Sequence, residues 1–247
     1  MIRIVILGSI GQSVECLEYI FGNVSVSTSD VKVVAYIPHQ NPTEFCLTAE
    51  CIALVEKHGV KILNLKLLNE LDYDLGISIC FDQKLSKEVV KKPKRGWVNI
   101  HLGPLPRLRG SLSAHHAVRL APIANIWEFS TTMHYMDEEI DTGPIIDVES
   151  FPIHVTDTAY DVYVKALSKI SILFSRNIKS LVSSSDRVAS YSQSGETNYF
   201  KRKDINHQVD LSEPESWILA KIRALTFPNK PRPFTLIGGK KIFLSLD

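Results

Sequence analysis

Across residues 2 to 80 the chain alternates short β-branched runs with helical periodicity, and few folds accommodate that alternation. Residues 2–7 form an apolar run, Ile-Arg-Ile-Val-Ile-Leu, that ends at Gly8-Ser9-Ile10-Gly11, and a helical pattern covers residues 12–21. Residues 31–37 repeat the strand signature. Residues 43–58 repeat the helical one, with Gly59 as its stop, and residues 60–63 and 75–80 read as further strands. Strands separated by helices pack as a mainly parallel sheet covered on both faces. The fold class expected is therefore α/β, Rossmann-like.

Downstream, residues 85–90 read as helix, 97–101 as strand, Pro104-Leu105-Pro106 as loop and 113–120 as helix. Residues 126–136 and 144–151 are strand-like on either side of a break at 137–143, and Asp157-Thr158-Ala159 opens a long amphipathic helix to about Ser180. After Leu181 the texture becomes polar, with Ser183-Ser184-Ser185 and residues 192–197 resembling a linker or surface loop. One helix at 217–225 and a hairpin around Gly238-Gly239 complete the chain. The expected organisation is a catalytic domain over 1–184 and a small extension over 185–247, suited to a nucleotide or dimer contact.

Charge narrows the function. The 247 residues carry 28 Lys and Arg against 27 Asp and Glu, net +1, so the broad basic footprint of a nucleic-acid binder is absent. The short basic runs at 91–95 and 201–203 fit a solvated rim, or for the second a ligand contact. Cys16, Cys46, Cys51 and Cys80 make no C-x-x-C and no zinc spacing. No stretch reaches the ~20 apolar residues of a membrane span. A cytoplasmic protein is expected, in which the sequon-like Asn23-Val24-Ser25 carries no weight.

The turn after the first strand is not G-x-G-x-x-G, and no acidic residue follows at the spacing of a ribose contact, which disfavours a dinucleotide. Backbone N–H groups at Gly11, Gln12 and Ser13 could still hold a phosphate at the helix start. Asn99 and His101 sit two apart in one strand, so they share a face at its C-terminal end, where open α/β sheets place their ligand crevice. The break at 137–143 can bring Asp141 beside them. Singly, these are a turn former, an interior imidazole and an Asx-turn residue. Together they supply what acyl transfer to an amine requires: an amide donor for an oxyanion, a base for the amine proton and a carboxylate to orient that base.

Asn99-Ile100-His101-Leu102-Gly103-Pro104-Leu105-Pro106-Arg107-Leu108-Arg109-Gly110 resembles the Asn-x-His-Pro-Ser-Leu-Leu-Pro-x-Tyr-Arg-Gly motif of the folate-dependent formyltransferases. Thr132-Met133-His134-Tyr135-Met136 with Ile140-Asp141-Thr142-Gly143 resembles their second signature, and the likeness covers about residues 1–180. The resemblance implies Asn99, His101 and Asp141 as the catalytic set, 10-formyltetrahydrofolate as donor, no metal, and a cis bond at Pro106. It places the pterin against Phe81, Asp82, Gln83, Lys84 and Leu85 and against Asp137, Glu138 and Ile140.

Leu102-Gly103-Pro104, Phe151-Pro152-Ile153 and Tyr199-Phe200-Lys201-Arg202-Lys203 look more like the nucleotide-sugar N-formyltransferase branch. That implies a dTDP-linked amino-dideoxy hexose as acceptor, dTDP-4-amino-4,6-dideoxyglucose first, for a bacterial O-antigen or other surface polysaccharide. Tyr135, Tyr199, Lys201 and Lys203 join Gly11, Gln12 and Ser13 as acceptor contacts, and a homodimer is expected, with neither nucleic acid nor membrane as partner. Competing readings are a dTDP-3-amino sugar, a UDP-aminopentose or methionyl-tRNA as acceptor, or a non-catalytic sugar-nucleotide or folate-binding module. A metallohydrolase built on His101, His115, His116 or His134 fits poorly, because His115 and His116 diverge by about 100° on a helix.

Overall fold

A computed structural model describes residues 1–22, 31–41 and 43–246. The sequon-like Asn23-Val24-Ser25 lies outside the described residues. The elements are β1 (Ile2–Leu7), α1 (Gly11–Gly22), β2 (Val31–Ile37), α2 (Thr48–Lys57), β3 (Lys61–Ile62), β4 (Leu75–Ile79), α3 (Lys87–Lys91) and β5 (Trp97–His101). There follow β6 (Arg109–Gly110), α4 (Ser113–Ala124), β7 (Glu128–Tyr135), β8 (Ile145–Pro152), α5 (Ala159–Ser183), β9 (Tyr199–Phe200), α6 (Glu215–Leu225), β10 (Phe234–Ile237) and β11 (Lys240–Phe243). Seven strands form one sheet in the order β3-β2-β1-β4-β5-β7-β8. The pairs from β3 through β5 are parallel, and β7 runs antiparallel to β5. The expected α/β, mainly parallel architecture is the one found.

Largely apolar strand runs become the buried centre of this sheet, and β4 is buried at every position, Ser78 included. Gly76 in β4 lies under the Trp97 ring, where a Cβ would collide with the indole. The Trp97 indole N–H donates to the Val89 carbonyl at 2.9 Å, which ties β5 to α3. The long helix starts where its cap dictates. Asp161 N–H donates to the Thr158 hydroxyl at 3.2 Å while the Asp161 carboxylate accepts from Thr158 N–H at 2.9 Å, a reciprocal capping box. Among the described residues no helix is long and apolar enough to cross a membrane.

One helix begins later than expected. Residues 43–47 carry helical periodicity, yet α2 starts at Thr48. The backbone of that stretch is spent on the turn after β1: Gly11 N–H donates to Phe45 O at 2.9 Å, and Leu47 N–H to Ser9 O at 2.8 Å. Groups committed to such pairs cannot also close an i to i−4 ladder.

The chain gathers into two compact units, one from residues 1–101, 132–149 and 168–193, the other from 102–131, 150–167 and 194–247. Both units draw on interleaved stretches, whereas the boundary expected near Ser184 cuts the sequence once. The first unit has a core of Val5, Leu7, Ala35, Ile37, Tyr73 and Trp97 among others. The second packs Leu108, Val118, Phe129, Phe151 and Val162. Also in the second unit, β6 pairs in parallel with β9, and β10 with β11 forms the expected hairpin.

Candidate active site

Asn99 and His101, both in β5, and Asp141, 40 residues beyond His101 in sequence, converge in the first unit at the C-terminal end of β5. His101 Nδ1 lies 3.5 Å from Asp141 Oδ2, and both side chains are about nine-tenths buried. A fourth group completes the cluster. His134 Nε2 is 3.6 Å from the other carboxylate oxygen and 3.2 Å from Asn99 Nδ2. Antiparallel pairing explains the meeting, because Asn99 stands opposite His134 and His101 opposite Thr132.

The tautomer of His134 follows from its partners. Its Nδ1 is 2.8 Å from the Tyr135 carbonyl oxygen, which only accepts, so Nδ1 carries the proton. In the neutral ring Nε2 is then the acceptor, and Asn99 Nδ2 donates to it. This fixes the amide with its NH₂ group toward His134, and that group has a second N–H to offer a reacting oxygen.

Asp141 adopts φ +57°, a left-handed conformation rare outside glycine. Two residues later Gly143 packs so closely that a Cβ would strike the Tyr135 carbonyl. Gln193 Nε2 donates to Asp141 O at 3.0 Å and to Gly143 O at 2.7 Å. On the same loop, the Asp137 carboxylate accepts from Glu139 N–H at 3.1 Å. Glu138 pairs with Lys87 and Lys91, and these two cations hold its carboxyl down to about 2. Ile140 is half-buried.

The segment from Phe81 to Leu85, expected to face a pterin, is tied to the end of β2. Ser9 N–H donates to His39 Nδ1 at 2.7 Å, so the His39 proton sits on Nε2 and is given to the Cys80 carbonyl at 2.8 Å. The Asp82 carboxylate accepts from Asn41 N–H at 2.9 Å and Gln40 N–H at 3.3 Å. Cys80 takes φ +49°, and burial pushes its thiol up to about 12, with the Asp141 charge adding to that rise. A cavity of about 250 Å³ opens beside this segment, lined by Leu65, Lys66, Asn69, Lys84, Leu85, Ser86 and Val89. Gln83 lies half-buried in the same stretch. Among the described residues, no three His, Cys, Asp or Glu side chains gather as ligands of one metal ion.

The residues expected to touch an acceptor are placed unevenly. Gly11 N–H is taken by Phe45 O and Ser13 N–H by Ile10 O, so two of the three backbone donors expected to hold a phosphate are engaged. Gln12 is half-buried beside them. Tyr135 is not a surface contact but a core residue. Its side chain is buried, its hydroxyl accepts from Val188 N–H at 2.7 Å, and the Arg187 guanidinium stacks on its ring at 4.9 Å. In the second unit Tyr199 is exposed, with the Arg109 guanidinium and the Lys201 ammonium each 5.7 Å from its ring centroid. Lys203 is exposed on the adjoining 3-10 turn, Arg202–Asp204.

Sequence reasoning missed the parts played by His134 and Gln193. His134 had a signal: with Ser130 and Thr132 it forms a polar stripe on one face of a strand whose other face carries Phe129, Met133 and Tyr135. Gln193 had none, since its acceptors are backbone carbonyls.

The profile of the formyl transferase family matches residues 3–178. This chain belongs to that family. The crystal structure of an N-formyltransferase from Helicobacter canadensis, solved with folinic acid and dTDP-3-aminofucose, matches at TM-score 0.79 and 28% identity, over 98% of this chain and 86% of that one. A 4-N formyltransferase from Francisella tularensis shares the fold at TM-score 0.77 and 24% identity, over 100% of this chain and 97% of the other. Methionyl-tRNA formyltransferase of Geobacillus is 28% identical over 179 residues, 69% of this chain, and the match spans about half, 55%, of that enzyme's length. Family and fold agree with the expectation of a folate-dependent formyl-transferring enzyme of the sugar branch.

Proposed function

We propose that this chain transfers the formyl group of 10-formyltetrahydrofolate to the amine of a dTDP-linked amino-dideoxy hexose. The convergence of Asn99, His101 and Asp141 at the crevice end of β5, within this family's fold, carries the reading. The acceptor's neutral amine attacks the formyl carbon and a C–N bond forms. Asn99 donates its second N–H to the oxygen as negative charge develops there. His101 accepts the proton that the amine sheds, and the Asp141 carboxylate orients and charge-stabilises the ring. The bond from carbon to folate N10 then breaks and N10 takes up a proton, leaving a formamide and tetrahydrofolate. The folate lies along the segment from Phe81 to Leu85 and the loop bearing Asp137, Glu138 and Ile140, and Lys66 and Lys84, which both line the adjoining cavity, suit its carboxylates. The Arg109–Tyr199–Lys201 cluster suits a thymine stacked on an aromatic ring with a diphosphate nearby. Four free thiols, none in a disulfide, fit a reducing cytoplasm, and the extension over 185–247 fits a homodimer contact.

The first acceptor to test is dTDP-4-amino-4,6-dideoxyglucose, as used for surface polysaccharide such as O-antigen. A dTDP-3-amino sugar is the second reading, favoured by the ligand present in the Helicobacter canadensis structure. Mass spectrometry of both sugars, incubated with the protein and 10-formyltetrahydrofolate, should reveal the mass of one added CO on one of them. Formylation of methionyl-tRNA alone, with an affinity that falls steeply with salt, would overturn the sugar reading.

A further inference from the structure

Gln193 lies beyond the long helix in a stretch whose composition is that of a linker, yet its position is fixed. Tyr191 and Ile145 exchange backbone N–H···O bonds at 2.9 and 2.8 Å, and Val188 N–H donates to the Tyr135 hydroxyl at 2.7 Å. Both groups facing the Gln193 amide are carbonyl oxygens, those of Asp141 and Gly143, so the NH₂ side must point at them and gives each a proton. These two carbonyls bracket Thr142, at the point where the loop holds Asp141 in its left-handed conformation. Gln193 Oε1 is buried without a hydrogen-bond partner among the described residues. An apolar side chain would fill the space without burying that oxygen, so the feature that distinguishes glutamine here is its pair of donors. We propose that Gln193 is a positioning residue for formyl transfer: its amide pins the loop that carries Asp141 and thereby sets the carboxylate against His101 and His134. The consequence for turnover rests on the transfer reading above, whereas the pinning itself does not.

The test uses the full chain. Gln193→Met keeps length and volume but removes both donors; Gln193→Glu sets a carboxylate against two carbonyls. Because small misplacements of a catalytic group cost up to ~10²-fold, kcat should fall about tenfold or more in both variants. In Gln193→Met the acceptor KM should stay within about twofold, with melting close to wild type, whereas the unpaired charge of Gln193→Glu should also lower melting. Combined with Asp141→Asn, Gln193→Met should cost little further, since a residue acting through Asp141 is non-additive with its loss. Unchanged kcat in Gln193→Met, or an equal cost in the Asp141→Asn background, overturns the proposal. Wild-type turnover reports separately on the transfer reading. If the wild type transfers nothing, amide hydrogen exchange over residues 137–143 still decides the pinning: faster exchange in Gln193→Met supports it, and unchanged exchange overturns it.

Discussion

The molecule buries two pairs of histidines to almost the same depth and surrounds them in opposite ways. His101 and His134 are 8% and 1% exposed; His115 and His116, on α4, are 8% and 5%. Burial therefore does not distinguish them. Partners do. The first pair flanks the Asp141 carboxylate, one ring at each oxygen, with the Asn99 amide on His134. In the second, His115 Nδ1 meets the Ala224 carbonyl at 2.8 Å, while His116 stacks on Phe200 at 3.7 Å and neither of its ring nitrogens has a hydrogen-bond partner among the described residues. Loss of solvation pushes His115 down to about 4 and His116 to about 3. The Ala224 carbonyl partly offsets this for His115, and Arg119 adds to the depression of both. In the proposed mechanism a buried imidazole acts because a carboxylate and an amide stand beside it; without them it packs.

The sharpest way to break this contrast is at the amide. Asn99→Ala removes the proposed oxyanion donor and should lower turnover by about 10²–10³, with little change in melting. A variant that keeps more than roughly a tenth of wild-type turnover would remove Asn99 from the mechanism and reduce the first pair to packing as well.

The second pair predicts an acid weakness unrelated to catalysis. When unfolded, both rings bind a proton near 6.5; when folded, only near 4 and 3. Between those values the unfolded chain holds protons that the native one does not. Stability is therefore full above about 6.5 and is lost as pH falls toward 4, by about 1.4 kcal/mol per pH unit for each ring. Urea denaturation at several pH values across this window measures the slope. A flat profile would mean that the rings are protonated and solvated in the folded state.

His116→Phe sharpens the same point with a smaller effect. It retains an aromatic ring against Phe200 and removes two buried nitrogens without hydrogen-bond partners among the described residues, so the variant should gain about 1–2 kcal/mol at neutral pH. It should also halve the acid slope. Loss of stability instead would show that the imidazole has a partner, and the pair would need a different description.

How far the sequence discloses these arrangements depends on where the controlling atoms lie. β1 and β2 are legible because apolar, largely β-branched runs leave a buried strand as the one inexpensive state, and β5 is legible from its alternation of apolar and polar residues. Convergence of Asn99 and His101 follows from period two within one strand. The part of His134 is half legible: its polar stripe is visible, but only the register of β7 against β5 sets it opposite Asn99. Tyr135, the neighbour of His134 in β7, points by strand alternation to the other face, into the core. The late start of α2 and the hold of Gln193 on Asp141 are set by backbone carbonyls, which every residue carries, so no side-chain identity announces them.

The smallest effect should come from another carboxylate on the loop that carries Asp141. Glu138 lies three residues before Asp141 and has two cationic partners, Lys87 and Lys91, so a count of contacts would rank it as the better-anchored acid. Those partners are exposed, water screens the attraction, and long lysine side chains lose rotamer freedom when held. Glu138→Gln should therefore leave the melting temperature unmoved at physiological salt and change folate KM by no more than about twofold. A larger rise in KM, abolished by added salt, would mean that Glu138 orders the loop against the folate. The difference between buried and exposed partners would then matter less than the loop they share.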